Sequence, residues 1–531
     1  MARTLNETIR TCTDDYLKKI DVDNPPCPSD IEAGIITAID DAVNLMNQIR
    51  PKGNKWKSPK RLSSSQICDI LLKLHHIIRV KCSGDNTDSS YDLLAVYNTE
   101  TGIYTTDEDE IKKLAEQYCY DISTKEMNEV IEKLRIHARR VSRTMDRDLI
   151  AVNNGVFNYV TKRLELFSPN YIFLAKSKVD YNPLATNVII HNDDDDTDWD
   201  VESWMADLSD DPEVVELLWE ILSAIVRPHV RWNKSAWFYS STGNNGKGTL
   251  CELMRSLCGE GSFATIPLND FSKDFALEPL TRATAIIVDE NDVGTFIDKA
   301  ANLKAVITND VIPINRKFKT PISYQFYGFM VQCLNEFPRI KDKSDSFYRR
   351  QLFVKFDRCF TGKERKYIKN DYLHRKEVLE YVLYKVLNMN FYELSEPASC
   401  RSALDEYKEF NDPVRQYLDE ILPVVKWDLL PFSFLYDLYK AWFRKNSPNG
   451  SIQGRNTFIN DVLNLLSDYS DWYCQGRTTQ VRVSNKMSGP EPLIGEYDLV
   501  DWKNATYTGN NVDVICTPTL KEKYCGLVRN I

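Results

Sequence analysis

The feature that most restricts the fold is a short apolar run that leads into a glycine-rich turn, a lysine and a helix-like segment. The run Ala236–Ser240 continues into SSTGNNGKGT, which ends at Thr249 and is called the phosphate loop below. Glycines let backbone N–H groups approach an anion, a helix N-terminus adds partial positive charge, and a lysine at this spacing reaches the outer phosphates of a nucleotide. This order predicts an α/β protein that binds a nucleotide. The predicted nucleotide-binding residues are Gly243, Asn244, Asn245, Gly246, Lys247, Gly248 and Thr249.

The phosphate loop departs at two positions from the pattern G-x-x-x-x-G-K-[ST]. Ser241 stands at the position of the first glycine, and Gly248 stands where a hydroxyl side chain would bind Mg²⁺. Thr249, the next residue, is therefore the predicted hydroxyl ligand of Mg²⁺, unless a water takes that place. An ordinary Gly-Asn turn is the alternative interpretation of this segment.

Two further apolar runs downstream each end in polar residues. The run Ala285–Val288 is followed by Asp289 and Glu290, and the run Gly328–Leu334 is followed by Asn335. A carboxylate at the end of a parallel strand can hold the hydrated Mg²⁺ ion, which predicts Asp289 as a metal ligand. Glu290 is the predicted base that activates water, and Asn335 is predicted to contact the outermost phosphate. A strand-end asparagine that only caps a turn is the alternative for Asn335.

A pair of arginines precedes a fourth apolar run. Arg349 and Arg350 stand directly before Gln351–Phe356. A guanidinium that reaches the nucleotide of a neighbouring subunit would stabilise the charge of a phosphoryl-transfer transition state. Both arginines are therefore candidate catalytic residues, with surface charges as the alternative.

The segment between the second and third runs, NDVIPINRKFKTPISYQF, has alternating apolar residues around a basic, aromatic centre. This pattern predicts a β-hairpin with a cationic tip. A lysine beside an aromatic ring suits single-stranded DNA, because the ammonium contacts phosphate and the ring packs on sugar or base. The predicted DNA-binding residues are Arg316, Lys317, Phe318 and Lys319. The alternative is a solvated hairpin whose Phe318 packs into the core.

The net charge of −10 does not exclude a DNA partner, because the charges are unevenly distributed along the chain. The chain has 67 basic and 77 acidic residues, but twelve of the acids lie between Asp193 and Glu216, where there is no Lys or Arg. From Pro313 to Lys376 there are sixteen basic and six acidic residues. This excess of positive charge is sufficient for salt-dependent binding to the phosphates of DNA. The run Asp193–Asp196 is predicted to be a solvated loop, since four consecutive side chains do not converge on one ion without a shaped loop.

The cysteines, histidines and apolar segments narrow the class of protein further. Thirteen cysteines form no C-x-x-C pair and six histidines no H-x-x-x-H pair, which argues against a zinc ribbon and suits a reducing compartment. No run of 18 apolar residues occurs, so the sequence predicts a cytoplasmic protein without a membrane partner.

These elements resemble, in order and spacing, the superfamily 3 helicases of viruses and mobile elements. The similarity is to the phage/plasmid primase family that includes the C-terminal half of poxvirus primase-helicase. Gly243, Asn245, Gly246 and Lys247 match its phosphate loop, Asp289-Glu290 its second motif, and Asn335, Pro338 and Arg349-Arg350 its later signature. The segment Ile314–Lys319 is similar to the DNA-contacting hairpin of papillomavirus-type helicases, with Phe318 in place of histidine.

The resemblance implies an AAA+-like P-loop ATPase core that uses ATP and Mg²⁺ as a ring, with a hexamer expected. Single-stranded DNA is the expected partner, origin duplex DNA and a separate primase are further candidates, and the host cell cytoplasm is the expected location. Asn153–Phe157 and Tyr181–Pro183 resemble the helicase-associated N-terminal domain of this family. The expected function is an ATP-dependent DNA helicase that replicates a phage or mobile element.

Five regions are predicted. Residues 1–90 form a helical region of unknown role that resembles no named family, and its basic connector Arg50–Arg61 is predicted to be a solvated linker or, less favoured, a nucleic-acid contact. Residues 91–210 form an α+β helicase-associated domain that includes a helix over Ser123–Ser142. Residues 211–360 form the ATPase domain and 361–411 a helical connector. Residues 412–531 form a winged-helix-like DNA-binding region, in which Trp472–Cys474 and Gln480–Val483 are the candidate strands of a hairpin.

Three other functions remain open from the sequence. A primase-helicase would also synthesise primers, although residues 1–90 contain no spaced pair of acids of the kind that a primase needs. An origin-binding initiator or switch ATPase would bind duplex DNA without unwinding it. A small-molecule kinase shares the Gly-Lys-Gly-Thr sequence, but leaves Asp289-Glu290, Asn335 and the basic hairpin without a role.

Overall fold

The computed structural model describes residues 4–82, 92–317, 319–362, 364–446 and 452–530. It contains helices and strands in mixed order, which confirms the predicted α/β class. The chain divides into two compact units, residues 1–404 and 405–531. In the described ranges, no helix combines the length and the apolar character that crossing a membrane would require.

The first unit begins with helices that pack beside a small sheet. In chain order the elements are α1 (Leu5–Leu17), α2 (Pro28–Gln48), α3 (Ser64–Leu74), β1 (Ile77–Val80), β2 (Leu93–Asn98), β3 (Ile103–Thr105), α4 (Glu108–Tyr118), α5 (Thr124–His137) and β4 (Arg139–Val141). Their sheet has the order β3-β2-β1-β4. The helix predicted over Ser123–Ser142 is therefore too long, because its last residues form β4, which pairs in parallel with β1. The strand β1 itself lies in the range for which the sequence predicts only helices.

The basic connector after α2 is a loop whose residues are mostly exposed, and it contacts α2 at several points. Asn47 accepts a hydrogen bond from the Trp56 backbone N–H at 2.8 Å and donates one to the Trp56 carbonyl at 3.0 Å. The Arg50 guanidinium lies 3.5 Å from the centre of the Trp56 ring. The Ser58 hydroxyl also donates to Asp40. These contacts hold the loop against α2, a result that its composition alone does not indicate.

Two antiparallel hairpin regions follow. The elements are β5 (Leu149–Val152), β6 (Gly155–Asn158), β7 (Arg163–Glu165), β8 (Ile190–Asn192), β9 (Thr197–Trp199), α6 (Val201–Ala206) and α7 (Pro212–Val226). The run Asp193–Asp196 is the exposed turn between β8 and β9, which confirms that it is a loop. Most of the surface of helix α7 is buried.

A five-stranded parallel sheet forms the centre of the first unit. The elements are β10 (Ser235–Tyr239), α8 (Lys247–Cys258), β11 (Phe263–Ala264), β12 (Ala285–Val288), β13 (Phe296–Ile297), α9 (Ala301–Ile307), β14 (Val311–Arg316), β15 (Lys319–Gln325), β16 (Phe329–Leu334), β17 (Arg339–Ile340), α10 (Asp345–Tyr348), β18 (Gln351–Lys355), α11 (Lys366–Asn370), α12 (Lys376–Asn388) and α13 (Ala398–Asn411). The sheet order is β11-β12-β16-β10-β18. Every residue of β12 and β16 is buried, because both faces of these strands are covered.

One apolar core joins these hairpins, α7 and the sheet. It extends from Ile150 in β5 to Cys400 in α13 and includes Phe157, Trp199 and Phe238. Residues of the predicted regions 91–210 and 211–360 therefore share a single core.

His229, between α7 and β10, packs against the rings of Phe173 and Tyr327, and among the described residues its buried Nδ1 atom has no hydrogen-bond partner. Burial, with a contribution from the charge of Arg143, lowers the His229 pKa to about 4. The unfolded chain binds a proton near pH 6.5 while the folded chain does not, so stability falls as the pH drops below that value. We expect a loss of about 2 kcal/mol in the free energy of unfolding between pH 7.5 and pH 5.

Urea unfolding at the two pH values tests this expectation, with the His229→Gln variant as the comparison. The variant has no imidazole to titrate, so its loss of stability should be smaller by about that amount. An equal pH dependence in both proteins would contradict the assignment.

The second unit contains three main helices and two small sheets. Its elements are α14 (Pro413–Ile421), β19 (Leu429–Pro431), α15 (Phe432–Asn446), α16 (Arg455–Leu465), β20 (Trp472–Tyr473), β21 (Val481–Arg482), α17 (Leu493–Glu496), α18 (Val512–Ile515), β22 (Lys523–Tyr524) and β23 (Gly526–Arg529). The hairpin predicted from Trp472–Cys474 and Gln480–Val483 is wrong. The strand β20 pairs with β23, and β21 pairs with β22. Both partners lie more than 40 residues away in sequence, where a local pattern gives no information about pairing.

Candidate functional site

The site lies where β10, β12 and β16 end. The three strands are parallel, and β16 lies between the other two, so their carboxyl ends and the residues that follow them meet at one edge of the sheet. In open parallel sheets this edge is the usual place for a ligand. The phosphate loop follows β10, Asp289 and Glu290 follow β12, and Asn335 follows β16.

The phosphate loop is held in shape by its own polar side chains and by two left-handed residues. The hydroxyls of Ser240 and Thr242 are 3.2 Å apart, and the Lys247 backbone N–H donates to Asn245 Oδ1. Asn244 and Gly246 have positive φ angles of 52° and 87°. Alternation of this kind turns successive N–H groups toward one side of a loop.

Lys247 is the centre of the site. Its side chain is only 5 % exposed, and its Nζ atom donates to the Leu334 carbonyl and to Asn335 Oδ1, each at 3.0 Å. A third hydrogen bond reaches the Ser240 carbonyl at 3.3 Å. All three acceptors are neutral, and within the described ranges Lys247 has no ion pair with a carboxylate. Burial accordingly lowers the Lys247 pKa. A buried cation without a counter-charge is costly, and a phosphate would remove that cost.

The N-terminus of α8 offers a second anion-binding feature. Gly246 is the N-cap of this twelve-residue helix and has no side chain to accept from the first turn, where Asn245 Oδ1 accepts from the Lys247 N–H. The N–H groups of that turn therefore carry the partial positive charge of the helix toward the loop. A β-carbon placed on Gly243 would have no atom within 4 Å, so the loop is open on that side. These features fit a polyphosphate.

The residues predicted to serve the metal are present, but one of them is engaged elsewhere. Thr249 is half-buried in the first turn of α8, and both oxygens of Asp289 contact the Arg255 guanidinium, at 3.0 and 3.3 Å. Burial alone would raise the Asp289 pKa, but Arg255 and, to a smaller extent, Lys369 bring the pKa below its ordinary value. A hydroxyl and an ionised carboxylate are ligands that suit Mg²⁺. Direct binding by Asp289 would require Arg255 to move, whereas binding through water would not.

Glu290 is near the end of β12, and Asn335 follows the neighbouring strand β16. Glu290 is exposed, and among the described residues it has no hydrogen-bond or ion-pair partner. The next residue, Asn291, is buried and donates to Gln332 and to the Cys333 carbonyl on β16. This connection fixes the end of β12 relative to the end of β16. Asn335 contacts Lys247 directly, so the structure brings together the residues predicted from two distant motifs.

The two arginines lie at the other edge of the sheet. They precede β18, whose first residue, Gln351, pairs with Ser235, the first residue of β10. The ends of β10 are roughly 15 Å apart at about 3.3 Å per residue, which exceeds the span of an arginine side chain. Neither arginine can therefore reach the phosphate loop of its own chain. Arg349 is exposed, whereas Arg350 donates to the Ser346 carbonyl in the preceding turn and its Nε atom is buried.

The predicted hairpin is confirmed. The strands β14 and β15 pair antiparallel, with Arg316 opposite Lys319, and Ile312, Ile314 and Ile322 are buried on one face. Lys317 is exposed at the tip. Phe318 lies outside the described residues, and only the backbone of Lys319 is described.

The base of the hairpin is tied to the N-terminal part of the first unit. Arg143 donates to the Tyr324 hydroxyl at 2.8 Å and to the Gln325 carbonyl at 3.0 Å, both on β15. Neither this contact nor the partner of Asp289 is predicted from the sequence. Arg255 follows Lys247 by eight residues, close to two helical turns, so helical periodicity could have indicated that the two share a face. No local pattern points to Arg143.

Three family models match parts of the chain. One described as "D5 N terminal like" matches residues 40–213, and one described as "Poxvirus D5 protein-like" matches residues 409–497. A family of unknown function matches residues 238–350, which contain the phosphate loop and the hairpin. The first match begins at residue 40, so it includes the helix α3, which lies in the region that resembles no named family from its sequence alone.

Solved structures give weaker similarities. The apo structure of the C-terminal region of NrS-1 is 13 % identical with a TM-score of 0.42, and covers 80 % of this chain and 98 % of that chain. A structure of JCV helicase with a bound acetamide compound is 16 % identical with a TM-score of 0.26, and covers 40 % of this chain and 59 % of that chain. Scores below 0.5 support no conclusion about fold or function. No curated protein matches the sequence.

Proposed function

We propose that this chain, which belongs to the phage- and poxvirus-type primase-helicase family by its two D5-like regions, is an ATP-driven helicase that moves on single-stranded DNA as a ring. The observation that carries the proposal is the buried Lys247, whose charge is surrounded by neutral acceptors at the edge where three parallel strands end. The loop amides and Lys247 would bind the phosphates. The expected ring is a hexamer.

Each remaining residue of the site has a role in the proposed reaction. Glu290, exposed beside the loop, would take a proton from the attacking water. Asn335 would exchange its contact with Lys247 for one with the outermost phosphate. Thr249 and Asp289 would hold Mg²⁺, which neutralises phosphate charge when bound. Arg349 or Arg350 of one copy would complete the site of the next, because neither reaches its own.

The hairpin is the proposed contact with DNA, made by Arg316, Lys317, Phe318 and Lys319. The exposed tip would hold the strand while the buried face of β14 and β15 and the contact with Arg143 keep the base in place. The second unit, with its three helices and the sheet of order β19-β23-β20, is the proposed site for duplex DNA. Sequence-independent contacts of this kind depend strongly on salt.

Replacing Lys317 with alanine is expected to reduce strand separation at least about tenfold, because every subunit loses a phosphate contact at the tip. Hydrolysis of ATP without DNA should continue at the wild-type rate. Displacement of a labelled strand from a forked duplex measures the first property and phosphate release the second. Lys343→Ala, which removes another exposed lysine of the same unit, is the matched control. Unwinding by Lys317→Ala at the control rate would contradict the hairpin assignment.

The deciding experiment for the proposal as a whole is ATP hydrolysis measured with and without single-stranded DNA, together with the oligomer size in ATP. A monomer whose hydrolysis ignores DNA would overturn it. Primer synthesis on a single-stranded template tests the priming activity that the family name raises. Duplex binding without strand displacement would instead indicate an origin-binding switch.

A further inference from the structure

A second lysine stands beside the phosphate loop. Lys369 lies in α11, about 120 residues after the loop, and its Nζ atom would be 3.8 Å from a β-carbon placed on Gly248. Gly248 is the position where the usual pattern of such loops has a hydroxyl side chain. The ammonium group therefore lies beside the first turn of α8.

The surrounding structure fixes Lys369 in this place. Its neighbour Ile368 is buried in the apolar core together with Tyr372 and Leu373, which follow α11. Upstream, the Phe360 backbone N–H donates to the Asn244 carbonyl at 2.8 Å. Asn244 also donates to Glu364 Oε1 at 2.9 Å. The segment that carries Lys369 is therefore attached to the phosphate loop itself.

Among the described residues, the charge of Lys369 is compensated only by a longer-range interaction with Asp289. Asp289, the acid that lies within its electrostatic range, is already bound by Arg255. In the described ranges Lys369 has no ion pair with a carboxylate. A cation near a helix N-terminus is unfavourable, since both carry positive charge. Lys247, the N-terminus of α8 and Lys369 thus place three positive groups around the start of α8, which an anion with several negative charges would stabilise.

We propose that Lys369 is a second phosphate-binding cation of this site, which contacts the polyphosphate of a nucleotide in the space that Gly248 leaves open. The inference rests on the proposed function of the phosphate loop. It adds a residue from beyond the last motif that the sequence identifies. The ligand class is a nucleoside di- or triphosphate.

The test compares the affinity of the full chain for ATP and ADP in wild type, Lys369→Ala and Lys369→Arg. A charge-assisted hydrogen bond to phosphate predicts binding about 10- to 100-fold weaker in Lys369→Ala. Lys369→Arg should recover most of it, a rescue that a purely structural role would not predict. Lys376→Ala is the control, because this lysine lies seven residues further on, with Asp180 and Glu380 each at 3.5 Å.

Two outcomes separate this inference from the proposed function. If the wild-type chain binds no nucleotide, the proposed function fails and the inference fails with it. If wild type binds ATP and Lys369→Ala binds it equally well, only the role of Lys369 is overturned. If Lys369→Ala is less stable to heat, Lys369→Met keeps the aliphatic stem without the charge and is judged by the same comparison.

Discussion

Replacing Lys247 with alanine is expected to slow ATP hydrolysis by about 100- to 1000-fold, the effect of removing a preorganised charge from a phosphoryl-transfer site. Lys247 contacts both Ser240, which follows β10, and Asn335, which follows β16. Its loss removes the charge for the phosphates and the contact through which Asn335 is positioned. Phosphate release at saturating ATP measures the change.

Thermal unfolding provides the second readout for this variant. ATP should raise the unfolding temperature of the wild-type chain, because a ligand that binds only the folded state stabilises it. That rise should disappear in Lys247→Ala. Lys234→Ala is the matched control, since Lys234 stands just before β10 and pairs with Glu396 at 2.8 Å. Wild-type hydrolysis by Lys247→Ala would refute the phosphate-loop assignment.

Replacing Arg349 with alanine is expected to lower hydrolysis by about 1000-fold or more while nucleotide binding and assembly persist, as for other arginines that reach a neighbouring site. The exposed Arg349 is the better candidate of the pair. Arg350 is held against Ser346 in its own chain, so Arg350→Ala should mainly reduce stability. Arg349→Ala should therefore lose hydrolysis, whereas Arg350→Ala should mainly lose stability. If Arg350→Ala is stable and inactive while Arg349→Ala is active, the assignment is reversed.

Mixing two inactive variants tests whether the site is shared. A ring of Lys247→Ala and Arg349→Ala subunits in equal amounts would have both intact residues at about one interface in four, because each interface takes one residue from each neighbour. Partial activity should therefore appear on mixing. Activity that stays at the level of the separate variants would show that Arg349 does not act across an interface.

Much of the site could be predicted because it follows local patterns. The apolar run Ala285–Val288 has the bounds of β12, and the lysine spacing places Lys247 at the start of α8. The meeting of Lys247 and Asn335 follows from the rule that parallel strands end at one edge. Each of these predictions uses only the residues of one strand or turn, together with that rule.

The remaining features depend on contacts between distant segments. The pairing of β20 with β23 joins Tyr473 to Val528, and nothing near either residue specifies the other. Arg255 holds Asp289 because α8 packs beside β12, and Lys369 arrives from a helix beyond the last strand of the sheet. Such neighbours are determined by the packing of the whole core, whereas periodicity reports only which face of an element is buried.

The shared apolar core also limits where this chain can be divided for laboratory work. A fragment that begins at residue 211 would keep the phosphate loop and the hairpin but lose Phe157 and Trp199 from that core. The apolar surface of α7 would then face water and promote aggregation. A fragment that starts before Arg143 and ends near residue 404 retains this core and the contact between Arg143 and the hairpin.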